Sequence, residues 1–320
     1  AAHMELSWAL VWQMLINNVI RTAMLWLLCS WRPLFRYSAA SFRALFRFGS
    51  KMLLSGLLAT VFDNIYLLII GKLYSATDLG FYQRAKEFVV ASANSLSTVI
   101  AQVNYPVLSK LQNEPRQMRN AFRQILQHAL FVIFPLMVGI GVCAPTIILF
   151  LLGEKWLPSI PYLRLLCVVG ALFPIHLLNL NILMALGRSD LFLRLEVAKK
   201  VLLSTGILLA FRYGIIALLV AQIVSSSLAL LLNSYYSKKL LSYGLGKQLA
   251  DNAKVLGSSL AMGGGVYVAG RLFDGPVVLA LSMQILLGAV LFVGASWLLK
   301  DPVFSEWSAR WGAYIRSRRC

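Results

Sequence analysis

Residues 61–88 read VFDNIYLLIIGKLYSATDLGFYQRAKEF. The first half belongs to an apolar window over 51–73, long enough to cross a hydrocarbon core as a helix, yet it carries Asp63 and Asn64. On insertion scales a mid-span aspartate costs roughly 3 kcal/mol, while each Leu, Ile, Phe or Val returns roughly 0.3 to 0.6. The apolar residues outweigh the carboxylate, so the stretch reads as a membrane span. What Asp63 faces becomes the question.

Outward from this stretch, similar windows fall near 8–29, 86–108, 125–152, 162–186, 195–211, 214–235, 253–271 and 276–299. With 59% hydrophobic residues, 13% charged and a mean hydropathy of +0.74, the chain lies outside the range of a soluble domain. The expectation is an all-α integral membrane protein with about nine transmembrane helices.

A net charge of +18 could suggest nucleic acid, but the cations are not scattered. They gather after the first window (Arg32, Arg36, Arg43, Arg47, Lys51) and after the third (Lys110, Arg116, Arg119, Arg123). Further groups follow the fifth (Arg188, Arg194, Lys199, Lys200) and seventh (Lys238, Lys239, Lys247, Lys254), and the tail holds Lys300, Arg310, Arg316, Arg318 and Arg319. Basic residues thus mark every second connection, which predicts an N-terminus outside and a C-terminus in the cytoplasm. Membrane lipids, and no nucleic acid, are the partners this pattern calls for.

Cys29, Cys143, Cys167 and Cys320 form no CxxC pair and have no metal-ligand spacing with His3, His128 or His176, so no metal or cofactor is expected. Cys143 and Cys167 fall toward the same outer side, and nothing in the spacing requires them to pair. No Ser/His/Asp set, carboxylate pair or phosphate-cradling glycine loop stands out, and the outer connections are short. An enzyme is not expected. The glycines Gly263, Gly264 and Gly265 lie within a span, where close helix packing accounts for them.

The chain opens Ala-Ala-His-Met without a basic n-region or cleavage site, and an outside-first helix without a leader suggests that earlier helices are missing. Between the first two spans, RPLFRYSAASFRALFRFG reads as an interfacial helix, with Phe35, Phe42, Leu45 and Phe46 on one side and Arg36, Arg43 and Arg47 on another. The tail repeats the device with Phe304, Trp307, Trp311, Tyr314 and Ile315 beside Arg310 and Arg316. Pro135, Gly139, Gly141, Pro145 and Pro174 interrupt later spans.

Polar residues at membrane depth must face a partner or water. Gln13, Asn17 and Arg21 form one helix stripe; Thr60, Asp63 and Asn64, with Gly56, form a second; Ser95, Thr98, Gln102 and Tyr105 a third. These faces either bond neighbouring helices or line a hydrated cavity, with Arg21 as an anion ligand. Gln13, Asn17, Arg21, Thr60, Asp63, Asn64, Ser95 and Gln102 are the cavity candidates. His176 and Asn179, one turn apart, read as a satisfied core pair, and Arg84, Lys86 and Glu87 as a solvated helix start.

The segments WALVWQ and RTAMLWLL within 8–28, FRFGSKMLLSGLL, DNIYLLIIGKLYSATDLGFYQRAKEF, NYPVLSKLQ, LLGEKWLPSIPYLRLLC, ALGRSD and AQIVSSSLALLLNSYY occur in that order. In this set the chain resembles the polysaccharide, or lipid-linked oligosaccharide, flippases of the multidrug/oligosaccharidyl-lipid/polysaccharide exporter superfamily. The resemblance weakens after about residue 245. It implies two six-helix lobes around a cavity. Residues 1–50 would hold the last helix of the first lobe and a cytoplasmic linker, 51–236 the second lobe, 237–299 a loop and two additional helices, and 300–320 a basic tail. It further implies movement of an undecaprenyl-pyrophosphate-linked oligosaccharide across the cytoplasmic membrane, beside other polysaccharide assembly proteins. The alternatives are a drug or lipid II exporter of the same superfamily, a membrane-embedded polymerase or ligase, and a non-transporting remnant.

Overall fold

In the computed structural model the opening stretch is the end of one helix, a tight turn and the start of the next. The structure describes residues 2–29, 38–273 and 275–317; the side chains of 2–11, Ala44, Arg47, Asp63 and 312–317 lie outside the description. Two units are distinguished by their internal contacts, 1–47 and 48–320.

In the first unit α1 (Ala2–Leu28) carries Gln13, Asn17 and Arg21, all exposed. Helix α2 (Ala39–Leu73) begins in that unit and continues into the second. The expected interfacial segment is therefore partly helical, and from Ala39 it runs without a break into the following span. Phe42 and Phe46 stack at 5.6 Å on one exposed face, and residues 30–37 lie outside the description.

The second unit is helical throughout its described residues, in the order α3 (Ala76–Val89), a π-helical turn (Val90–Asn94), α4 (Ser95–Lys110), α5 (Pro115–Val142), α6 (Ala144–Leu151), a 3-10 turn (Glu154–Ser159), α7 (Ile160–Ala185), α8 (Ser189–Ala210), α9 (Ile215–Leu241), α10 (Leu245–Asp251), α11 (Ala253–Leu272), α12 (Val277–Leu298) and α13 (Pro302–Ser317). Every window predicted to span coincides with a helix, taking α3 to α4 as one run. Among the described residues, five helices are long and apolar enough to cross a membrane by themselves: α2, α5, the run ending in α7, α9 and α12. The α3–α4 run is split by its π turn, and α8 holds Arg194, Glu196, Lys199 and Lys200 in its interior. The fourth span ends at Val142 rather than near 152, because Pro145 starts a separate short helix after Cys143.

Start signals explain several boundaries. Ser75 accepts a hydrogen bond from the Asp78 amide at 3.0 Å and so caps α3. Asp301, almost fully buried, accepts from the Val303 and Phe304 amides at 2.9 and 3.2 Å, with Pro302 at the first position of α13. On that helix Trp307 packs against Phe131 of α5 at 5.4 Å, so this part of the tail lies on protein, while Trp311 is exposed.

Lipid supplies no hydrophobic drive between helices, so close packing by small residues holds such a bundle together. A Cβ on Gly170 of α7 would meet Val89 and Met137 at 2.7 and 2.8 Å; one on Gly206 of α8 would meet Ser225 of α9 at 2.7 Å. In α11, Gly263 would meet Val138 at 2.6 Å and Gly265 would meet Leu291 at 2.5 Å, which bears out the packing role read for these two glycines. Cys143 and Cys167 are buried free thiols. At the end expected to face outward, the Tyr74 hydroxyl donates to the Phe211 carbonyl at 2.5 Å and ties α2 to the end of α8.

Candidate functional site

Inside the second unit, α2, α3, α7, α8 and α9 surround two chambers of about 400 and 290 Å³. Both are bounded by Val169, Phe173, Leu203 and Gln222, so the two chambers adjoin and are taken together as one cavity region. Lys86 and Asn94 face the first chamber; His176, Glu196, Lys199, Lys200, Ser225 and Ser226 line the second. Lys199 and Lys200 lie near the middle of α8, about 15 Å from either end at the rise of an α-helix. They are not loop cations, as their place in the sequence suggested.

Charged side chains at this depth need partners. Glu196, only 6% exposed, pairs with Lys199 one turn later on α8. The Lys200 ammonium lies 5.5 Å from the centre of the Phe62 ring of α2, a cation–π contact. Among the described residues lining the cavity, Lys86, Lys199 and Lys200 stand against the single carboxylate of Glu196. They share a space walled by Phe62, Tyr66, Phe173 and Leu203.

Neutral polar groups complete the lining. The Asn233 amide nitrogen donates to His176 Nδ1 at 2.9 Å, so the neutral ring carries its proton on Nε2 and donates to the Ser226 hydroxyl at 3.1 Å. Tyr66 and Gln222, which line the first chamber, carry buried polar atoms, Oη and Oε1, with no hydrogen-bond partner. Such atoms are costly unless water or a ligand satisfies them. The arrangement can hold an anionic or hydroxyl-rich group, and among the described residues it offers no metal-binding cluster.

His176 and Asn179 do not serve as one pair. Asn179 belongs to a separate buried network in which Ser237 and Gln248 donate to its Oδ1 at 2.5 and 3.0 Å. That network fixes α10 beneath α7 and α9. Nearby, Asp251 accepts from Arg123 at 2.7 Å and from the Tyr243 hydroxyl at 2.8 Å, and burial followed by this carboxylate pushes the Tyr243 phenol pKa upward.

Four of the residues singled out in the sequence fall outside the chamber linings. Thr60, Asn64, Ser95 and Gln102 are exposed on α2 and α4. Thr60 donates to Gly56 at 3.0 Å, Asn64 to Thr60 at 2.9 Å and Ser95 to Val90 at 3.2 Å, so their bonds return to the local backbone. Asp63 follows Phe62 on α2, but its side chain lies outside the described residues. Gln13, Asn17 and Arg21 belong to the first unit. Lys86 is not at a solvated helix start: α3 begins at Ala76, and Lys86 lines the cavity while Arg84 and Glu87 pair at 2.9 Å on the exposed side. The spacing Tyr82–Lys86–Val89 was the signal for this, since it puts the lysine on the buried face.

A family model described as polysaccharide biosynthesis protein matches residues 1–161, half of the chain. The chain belongs to this polysaccharide biosynthesis family. It is 30% identical over 161 residues to the teichuronic acid biosynthesis protein TuaB of Bacillus subtilis, covering 50% of this chain and 33% of that protein. It is 28% identical over 197 residues to the lipopolysaccharide biosynthesis protein WzxC of Escherichia coli, covering 61% and 40%. The succinoglycan biosynthesis transport protein ExoT of Rhizobium meliloti is 22% identical over 161 residues, covering 50% and 33%. The chain thus spans a third to two fifths of the length of these relatives. Its fold is similar to that of lipid II flippase MurJ in an inward closed conformation, with a TM-score of 0.67, 15% identity, and coverage of 84% of this chain and 57% of that one. Together with its apolar helices, these matches make the chain a multi-pass bacterial membrane protein of this polysaccharide biosynthesis family.

Proposed function

We propose that this chain supplies the substrate-binding lobe of a flippase that carries an undecaprenyl-pyrophosphate-linked oligosaccharide across the cytoplasmic membrane. The observation that carries this reading is the placement of Lys199 and Lys200 near the middle of α8, and of Lys86 in the last turn of α3, on the lining of this cavity. A pyrophosphate matches these ammonium groups, and the sugars match Gln222, Asn94 and Ser226, which offer donors and acceptors. The aromatic and aliphatic walls lower the local polarity beside the ammonium groups, which strengthens each charge–charge attraction. No bond is made or broken: the residues lower the cost of bringing a charged headgroup to mid-membrane.

In our reading the exposed stripes Thr60–Asn64 and Ser95–Gln102, with Asp63, offer further polar surface on α2 and α4, and Arg21, Gln13 and Asn17 form a polar stripe of α1 taken by itself. The matched polysaccharide relatives support an oligosaccharide cargo over a drug. The test is export of surface polysaccharide in the bacterium that makes it, with the natural gene replaced by Lys86→Ala or Lys200→Ala. Export should fall at least about tenfold while the amount of protein in the membrane is unchanged, as expected when one charged contact to a phosphate is removed. Full export in both variants would overturn the cavity assignment. Loss in Arg21→Ala and Asp63→Ala instead would move the site to the stripes.

A further inference from the structure

A second cavity, of about 600 Å³, opens at the junction of α9 and α10, away from the one described above. Leu231, Ser234, Tyr235 and Lys238 line it from one face of α9, at the i, i+3, i+4, i+7 spacing of a helix stripe. Leu245 and Lys247 of α10 close the other side. The stripe passes from an exposed leucine to a lysine at the end of the helix where the basic connections gather.

Three features show that this is a shaped site and not a pair of loose surface lysines. Ser242 adopts a left-handed backbone, with φ of 56°, that turns the chain sharply, and Lys247 Nζ donates to its carbonyl at 3.2 Å. Gly244 is packed against the stem of Lys238: a Cβ there would meet Lys238 Cβ, Cγ and Cδ at 3.0 to 3.2 Å, so glycine is what lets the stem lie along the turn. Tyr243 and Gln248 anchor the turn from behind through Asp251 and Asn179.

Ser234, one of the lining residues and only 2% exposed, has a buried hydroxyl with no hydrogen-bond partner. A buried hydroxyl without a partner calls for a ligand or water. Among the described residues no carboxylate pairs with Lys238 or Lys247; Asp251, the acid on α10, is taken by Arg123 and Tyr243. The site therefore presents two ammonium groups and a hydroxyl donor beside an apolar wall.

We propose that the α9–α10 pocket binds a phosphate-bearing anion through Lys238, Lys247 and Ser234. The wall of Leu231 and Tyr235, both exposed, extends the site along α9 in the direction an acyl chain would take from a headgroup. An anionic phospholipid supplies both parts; free phosphate supplies only the first.

The test is native mass spectrometry of the full chain in a neutral detergent, titrated with phosphatidylglycerol and separately with inorganic phosphate. Lys238→Gln with Lys247→Gln should lower retention of phosphatidylglycerol at least about tenfold, the size expected for two interfacial lysines. Ser234→Val should lower it without a change of charge. Lys239→Gln, an exposed neighbour outside the pocket, should leave retention within about twofold, because its charge acts only through screened solvent. Failure of millimolar phosphate to displace the lipid identifies a lipid headgroup as the ligand, and displacement identifies the phosphate group itself. Unchanged retention in the double variant, or an equal loss in Lys239→Gln, overturns the site.

Discussion

Two sets of polar residues lie at similar depth in this bundle, and they are treated in opposite ways. On the outward faces of α2 and α4, Thr60, Asn64, Ser95 and Thr98 bond backward to the local backbone and remain exposed. Between α7, α8 and α9, His176, Asn233, Ser226, Glu196 and Lys199 bond to other side chains and are largely enclosed. Polarity alone therefore does not mark a site. The difference is whether the bonding capacity is spent locally or left to be shared across helices.

The largest expected effect that separates the two sets is at the buried ion pair. Glu196→Leu should destabilise the bundle by about 3 to 5 kcal/mol, since it removes the carboxylate paired with the Lys199 ammonium in a buried setting, and adding Lys199→Leu should recover most of that. Unfolding in mixed micelles would measure it. A wild-type-like single variant would mean that water reaches the pair, and the contrast between the two sets would collapse.

Next in size is Gly170→Val, which pushes a side chain into Val89 and Met137 and should cost about 1 to 3 kcal/mol by overpacking. The same assay reads it, and a neutral result would show that α3 and α7 can separate freely at the cavity wall. Thr60→Val and Thr98→Val should each fall within about 0.5 kcal/mol of wild type, because exposed positions with only local bonds contribute little. A loss comparable to that of Gly170→Val would show that the outward face is covered.

The smallest effect is at the turn before α8. Arg188 hydrogen-bonds the Asp190 carboxylate and holds its pKa below the ordinary carboxylate range. A depressed folded pKa gives stability that is present above the unfolded value and lost as pH falls through the folded one. Asp190→Asn should therefore remove a slight acid-limb dependence, below about pH 4, and leave the neutral range nearly unchanged. A melting-temperature series over pH would show it, and an effect confined to alkaline pH would contradict the assignment.

Much of the fold was legible because hydropathy and helix length act locally. Each window became a helix, and the apolar side chains of α2 and α8, such as Leu57, Val61, Leu208 and Leu209, stay exposed as a lipid-facing surface requires. The site was less legible. Lys199 and Lys200 follow Arg188 and Arg194 in a basic run, so the sequence groups them with the connection, and only the length of α8 carries them inward. Lys86 was hidden by its neighbours Arg84 and Glu87, which form an ordinary surface pair. His176 and Asn179 looked like partners because they are adjacent on one helix, but each has its partners on other helices.

The π turn at Val90–Asn94 has a genetic consequence. Such a turn holds one residue more than the α-helix it interrupts. Deleting a single codon there would let the helix close up as regular α with the segments on either side kept nearly in register, because the residue removed is the extra one that the turn accommodates. Ser97, Ala101 and Leu108, now buried, would stay turned toward the core, whereas a one-codon deletion in the regular part of α4 would rotate the residues after it by about 100°, the angle one residue subtends. A one-codon deletion in this turn should thus damage the protein less than the same deletion placed one or two turns later in α4.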